Sequence, residues 1–238
     1  ILGNSFALLL ISSVILTATC YIFRRPILFA FGASEASYVY ANEYLKIYLI
    51  GTVFSMISIG MNGYINAQGF PRIGMLSTVI GATVNIVLDP IFIFTLDMGV
   101  AGAALATIIS QAISAVWVLS FLFGKKAIIS LRVGNIRIHK EITKDIFRLG
   151  MANFIMQGTN CVVQVACNST LQSYGGDVYV GIMTVANSVR EIFSLPVSGI
   201  VNGAQPVISF NYGAKEYTRV KAGIRFNTFI GTAYTFVA

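Results

Sequence analysis

Five long apolar runs constrain this chain more than any other feature. Ile1–Phe23, Ile47–Pro71, Met98–Gly124 and Leu149–Gly176 contain no Asp, Glu, Lys or Arg, and Ile73–Leu96 contains only Asp89. As helices rising ~1.5 Å per residue, all five are long enough to cross a hydrocarbon core about 30 Å thick. A sixth run, Val178–Phe210, is interrupted by Arg190 and Glu191, and a seventh starts at Phe226. Only thirteen residues of the seventh are present before Ala238, whereas a crossing takes about 20, so the sequence is expected to be a fragment. It opens on Ile1 with no basic n-region or small-residue cleavage site, and no signal peptide is visible.

Composition agrees. Of 238 residues, 56% are hydrophobic and only 11% charged, against about 25% charged in a soluble domain. That balance excludes a soluble enzyme or nucleic-acid binder. Because backbone groups in lipid must be satisfied internally, the expected fold is an all-α membrane protein, a polytopic helical bundle. The short apolar piece Pro26–Ala33 cannot span and reads as an interfacial loop, with Tyr38, Tyr40, Tyr44 and Tyr48 suited to the headgroup zone. Cys20, Cys161 and Cys167 form no CxxC or Cys/His cluster and read as small buried thiols.

The net charge of +7 is distributed unevenly. Twelve basic residues fall on one side of the spans: Arg72, the seven between Lys125 and Arg148, and Lys215, Arg219, Lys221 and Arg225. Arg24, Arg25 and Lys46 lie on the other. The basic side is expected to be cytoplasmic. A nucleic-acid patch over 125–148 is disfavoured, since only Phe147 supplies an aromatic there. The segment instead reads as the polar linker between lobes, with a short amphipathic surface helix over HKEITKDIFRLG. Residues 1–124 then form four spans of an amino lobe, 125–148 the linker, and 149–238 the start of a carboxy lobe. A faint echo between the segments at Ile1–Phe6 and Ile224–Phe229 fits a two-repeat transporter plan.

Amides fall at helical spacing inside the spans. Asn153, Gln157, Asn160, Gln164, Asn168 and Gln172 share one face of the fifth, and Asn187, Glu191, Ser194, Ser198, Asn202 and Gln205 one face of the sixth. An unpaired amide in hydrocarbon costs several kcal/mol, roughly 2–7. Such stripes therefore face other helices or water. A few hydrogen bonds between helices need fewer amides, which favours a wet cavity. A milder stripe, Ser55, Ser58, Asn62 and Asn66, marks the second span beside several glycines, where close packing and cavity lining are equally open. Pro196 and Pro206, with Gly199 and Gly203, make the sixth span the one expected to bend.

Charges within spans are functional hypotheses by default. Asp89 precedes Pro90, and Asn85 lies one turn earlier on the same face. Counted from Leu96, the two sit ~10 and ~16 Å inside the outer boundary, and Thr107 on the returning span sits at ~14 Å. A carboxylate, an amide oxygen and a hydroxyl thus reach one level of an antiparallel hairpin. They suit a hard cation or, at the carboxyl, a proton; the bland alternative is an Asp capping a proline kink. Arg190 lies off the stripe that contains Glu191, and pairing with an acid on a neighbouring helix or a substrate contact are both open.

These residues resemble a known family. Asn85-Ile-Val-Leu-Asp89-Pro90, followed by Met98-Gly-Val-Ala-Gly and Thr107, is similar to the fifth and sixth helices of MATE (multidrug and toxic compound extrusion) transporters. Asn62-Gly-Tyr-Ile-Asn-Ala-Gln68-Gly69-Phe-Pro71-Arg72 resembles their fourth helix and the turn after it, and Asn202-Gly-Ala-Gln205-Pro206 through Ala214 the end of the eighth. The resemblance covers essentially the whole chain. It implies a two-lobed bundle of six plus six helices, here truncated to helices three to eight and the start of nine. It also implies a bacterial cytoplasmic membrane location, a complete protein that is a monomer, and export of organic cations driven by Na⁺ or H⁺, with no other cofactor. Asn85, Asp89 and Thr107 match the family's amino-lobe cation site. That site also uses an Asp on helix one, which has no counterpart in this sequence. Some members use a Glu on helix seven, but no acid occurs between Leu149 and Gly176.

The expected function is therefore a cation-coupled antiporter exporting drugs, with Asp89, Asn85 and Thr107 binding the coupling ion. Asn153, Gln157, Asn160, Gln164, Asn187, Glu191 and Asn202 would line the substrate cavity. The alternative is a lipid-linked saccharide flippase of related architecture, which would need several basic cavity residues where only Arg190 qualifies. A membrane enzyme is excluded because no nucleophile–base pair or metal cluster lies within the spans.

Overall fold

The computed structural model describes residues 1–237, and no strand occurs among them. The α-helices run in the order α1 (Leu2–Ile22), α2 (Arg24–Ala30), α3 (Glu35–Ile50), α4 (Thr52–Ala67), α5 (Pro71–Pro90), α6 (Gly99–Phe123), α7 (Lys140–Gly213) and α8 (Tyr217–Val237). A π-helical stretch, Ile91–Thr95, extends α5, and a short 3₁₀ turn covers Val133–Asn135. Two compact units result, Ile1–Asp177 and the remainder from Val178.

In the first unit, α1, α6, and α5 with its π-helical extension are each long and apolar enough to cross a membrane, and α3 with α4, bent by 57° at their junction, is so only when the two are taken together. The residues of α7 and α8 are helical as expected but less apolar, since amides and charges interrupt their hydrophobic residues. Ile57, Met61 and Ile65, spaced four apart, share one face of α4 and are buried against Ala115, Val118 and Leu122 of α6, with Leu2 and Phe6 of α1 closing the cluster.

Between helices in lipid, apolar burial supplies little driving force, so close approach and hydrogen bonds carry the packing. The α5–α6 seam shows both. Gly81 lies against the Ser114 hydroxyl, and a Cβ on Gly102 would stand 2.7 Å from the Phe92 carbonyl oxygen. Ser114 Oγ donates to the Ser77 carbonyl at 2.9 Å, and Trp117 Nε1 donates to the Ile73 carbonyl at 3.3 Å. Ala104 and Ala106 are fully buried on the same helix, so the Gly- and Ala-rich start of α6 is a contact face.

Several expectations are corrected. Pro26–Ala33 is not a loop: α2 covers Arg24–Ala30, where Arg25 stacks over the rings of Phe29 and Tyr38 and pairs with Glu35 at 3.7 Å. Those contacts, with a capping box between Ser34 and Ser37 at the start of α3, hold a helix too short to span. The run Ile47–Pro71 is not one helix, for it breaks at Gly51, where a Cβ would meet Ile108 at 2.5 Å. The Leu49 carbonyl beside that break accepts from Thr17 Oγ1 at 3.2 Å.

The expected surface helix over 139–150 is instead the first turns of α7, continuous with the following span. The fifth and sixth expected spans are joined in α7, with Pro196 and Pro206 inside it. The interruption is at Gly176, with φ 62 and ψ −161, a region open essentially to glycine alone. The last helix begins at Tyr217 rather than Phe226, and the cysteines are not buried: Cys20 is half-buried, while Cys161 and Cys167 are exposed.

Gly102→Val is expected to lower the thermal stability of the full-length protein by about 1–3 kcal/mol, since the clashing atom is backbone. Gly63→Ala, where nothing lies within 4 Å, is expected to raise it by roughly 0.5–1 kcal/mol. Thermal denaturation of the purified variants, followed by loss of the monodisperse peak, reads both signs.

Candidate functional site

Asp89 occupies the last turn of α5, one residue before Pro90. Proline lacks the N–H that would bond the Ile86 carbonyl, and the backbone widens into the π-helical stretch immediately afterwards. The side chains of Asn85 and Asp89 are both half-buried, and Asn85 Nδ2 donates to Asp89 Oδ1 at 3.3 Å. That bond leaves the second carboxylate oxygen and the Asn85 amide oxygen without a side-chain donor. The antiparallel register fixed by Ser77–Ser114 and Phe92–Gly102 places Thr107 at the level of the turn between Asn85 and Asp89. Thr107 Oγ1 donates to the Ala103 carbonyl at 2.9 Å, so its oxygen lone pairs remain available. The sequence-derived trio is thus brought to one level of the α5–α6 hairpin.

The amides of α7 are placed differently. Within the first unit, Asn153, Gln157, Asn160 and Gln164 are exposed along one helix face, and their one mutual hydrogen bond runs from Asn160 Nδ2 to Gln157 Oε1 at 3.3 Å. The described structure brings no second helix to this face. Within the second unit, Asn187 is half-buried, and Glu191 and Asn202 are exposed. Arg190 has no ion pair among the described residues.

The first part of α7 is instead fastened at its two ends. At its start, the buried Asn4 donates through Nδ2 to the His139 carbonyl at 3.2 Å and accepts from Thr143 Oγ1 at 3.2 Å. At its far end, Gly32 lies against the Asn168 backbone, and Ser34 Oγ donates to Asp177 Oδ2 at 2.7 Å. Sequence reasoning missed Asn4, whose only signal was an amide in an otherwise apolar first turn.

On the milder α4 stripe one amide is used in packing, while the buried Asn62 and Asn66 side-chain oxygens have no hydrogen-bond partner. Asn62 Nδ2 donates to the Gly74 carbonyl at 2.9 Å and to Ser77 Oγ at 2.7 Å, and Gly74 leaves room for the Asn62 and Asn66 amide oxygens. An open apolar groove of about 580 Å³ lies between α1 and the α3–α4 break, lined by residues such as Val14, Ala18, Ile50 and Val53. None of the expected site residues borders it.

Asn4→Leu keeps the branched shape of the side chain but removes one of the two hydrogen bonds to the His139 carbonyl, which also accepts the Thr143 N–H, and takes the Asn4 acceptor from the Thr143 hydroxyl. Losing bonds worth about 1–1.5 kcal/mol is expected to speed amide exchange over residues 139–147 by roughly tenfold. Hydrogen–deuterium exchange with mass spectrometry reads this directly, with peptides from α5 and α6 unchanged.

The family model described as MatE matches residues 1–91 and 152–238. The multidrug export protein MepA of Staphylococcus haemolyticus is 30% identical over 193 residues, covering 81% of this chain and 42% of its own length. MepA of Staphylococcus saprophyticus is 27% identical over 181 residues, covering 76% and 40%. The chain therefore spans less than half the length of these relatives. An outward-facing multidrug resistance MATE family transporter of the MOP superfamily matches with a TM-score of 0.87 at 27% identity, over 99% of this chain and 52% of that one. A MATE structure in the bent conformation gives 0.83 at 27% identity, over 99% and 53%. The shared fold is that of multi-pass helical membrane transporters, not of enzymes, and the chain belongs to the MatE family.

Proposed function

We propose that the full-length protein is a cation-coupled antiporter that exports organic cations across a bacterial cytoplasmic membrane, driven by Na⁺ or H⁺. The observation that carries this reading is the half-buried Asp89 with Asn85, beside a proline-induced widening of the helix and level with Thr107. A carboxylate inside a span is costly unless it is used, and its one side-chain hydrogen bond leaves oxygen free for an ion. Asp89 supplies the charge, while Asn85 and Thr107 supply neutral oxygens of the kind hard cations prefer. Protonation of the same carboxyl would serve equally as the coupling event.

Substrate contacts fall to the amides. Asn153, Gln157, Asn160 and Gln164, together with Asn187, Glu191 and Asn202, are polar groups at membrane depth that intramolecular bonds leave mostly unengaged. In this reading they line the substrate path, hydrated when empty and paired with the polar groups of an amphipathic cation when occupied. Glu191 adds the negative charge that a cationic substrate favours. The complete protein acts as a monomer with no partner but lipid and substrate.

Proteoliposomes holding the full-length protein under an imposed Na⁺ or H⁺ gradient test the coupling. The parent should move a fluorescent organic cation against its gradient. Asp89→Asn should reduce ion-driven flux at least tenfold, about 1.4 kcal/mol or more of lost driving interaction, while leaving the protein folded. Thr107→Val should weaken the dependence on ion concentration by a smaller factor. Unchanged, ion-dependent efflux by Asp89→Asn would remove the coupling assignment, and flux only down the substrate gradient would mark a pore.

A further inference from the structure

We propose that residues 125–148 form a docked strap that binds the anionic phospholipid headgroups of the adjacent leaflet. The strap is fixed in place. Leu131 is buried in the α1–α4–α6 cluster and its N–H donates to the Leu122 carbonyl at 2.8 Å. The Ile129 N–H donates at 2.8 Å to Oε1 of Gln68, from the turn joining α4 to α5. Asn135 packs on Gly3, and His139 and Thr143 are held by Asn4. These anchors keep the strap level with the ends of α1, α4 and α6, where a bilayer surface lies.

What the strap turns outward is basic and apolar together. Lys125, Lys126, Arg132 and Arg137 are exposed, and Lys140, Lys144 and Arg148 form an exposed row, four residues apart, along the first turns of α7. Among the described residues the ion pair found is Arg25–Glu35, elsewhere, so none of these seven cations has a carboxylate within 4.0 Å, including Glu141 and Asp145. Between them stand Ile128 and Val133, 74% and 75% exposed, and Ile138. Unpaired cations attract polyanions in general, but exposed isoleucine and valine among them favour a surface with acyl chains under its phosphates. Base stacking would need aromatics, and the strap carries only Phe147. The proposal does not depend on the transport reading, because it concerns attachment to lipid rather than ion or drug.

The test uses the full-length protein in vesicles, with Ile128→Trp as a probe and the emission gained over the parent as the signal. Brominated phosphatidylglycerol should quench that emission with an apparent affinity at least about tenfold above brominated phosphatidylcholine, a basic residue near the surface contributing roughly fivefold. Replacing Lys125, Lys126, Arg132 and Arg137 together with Gln should shrink the preference to about twofold or less. Salt at about 0.5 M should do the same with all charges in place, through screening. That salt series decides the matter even where the fourfold variant fails to fold. Equal quenching by the two lipids, a preference that survives both salt and the Gln variant, or no quenching by either lipid because protein covers the strap would each overturn the proposal.

Discussion

The backbone-to-backbone approach of α5 and α6 is the contact on which the rest of the first unit depends. Gly102 against the Phe92 backbone, and Gly81 against the small Ser114 side chain, bring two spans together at close range. The Ser114–Ser77 bond then fixes how far one helix may slide along the other. In a hydrocarbon setting these bonds are worth about 0.6 kcal/mol each, up to roughly 1.7, too little to hold the helices alone. Their value is register. Slipping α6 by one turn, about 5.4 Å, would drive Gly102 away from the Phe92 carbonyl and carry Thr107 out of the layer that holds Asn85 and Asp89. A set of small residues along the seam thus sets which side chains share a level at the last turn of α5.

The same economy of contact governs α7. Its first part is tied by Asn4 at one end and by Ser34 and the Gly32 turn at the other, leaving the amide-bearing middle free of partners within the first unit. A helix fastened at its ends keeps its direction without covering its face. The break at Gly176 lies in a conformation open essentially to glycine alone.

Much of this was legible in the sequence. Charge-free length located α1, α5 and α6, and simple helical rise put Asn85, Asp89 and Thr107 at one depth, because both follow from spacing along a single helix. Features set by neighbours were not legible. The helix α2 is held partly by Arg25 reaching Tyr38 and Glu35 on the next helix, contacts that depend on how the chain turns between α2 and α3. Gly51 breaks its span because Ile108 stands behind it, and nothing near Gly51 encodes that. The runs Leu149–Gly176 and Val178–Phe210 read as separate spans, and the backbone leaves the helical region between them, at Gly176. Cysteines in apolar runs were expected inside, but in a chain with little polar surface an apolar neighbourhood says nothing about burial.

The two families of amides show how identical residue types acquire different uses. On α4, Asn62 spends its donors on the Gly74 carbonyl and the Ser77 hydroxyl, opposite a glycine that lets the helices close around it. It has become part of the frame. On α7, Asn153, Gln157, Asn160 and Gln164 face no such glycine and no such carbonyl, and one weak bond joins two of them. A membrane does not leave that many amides unsatisfied, since each carries a penalty of several kcal/mol, roughly 2–7. Packing within the first unit does not account for them, and the substrate path proposed above would. Helix spacing identified both sets, but whether an amide is bonded depends on what lies across from it: the glycine and carbonyl opposite Asn62 on α4 have no counterpart opposite these α7 amides among the described residues of the first unit.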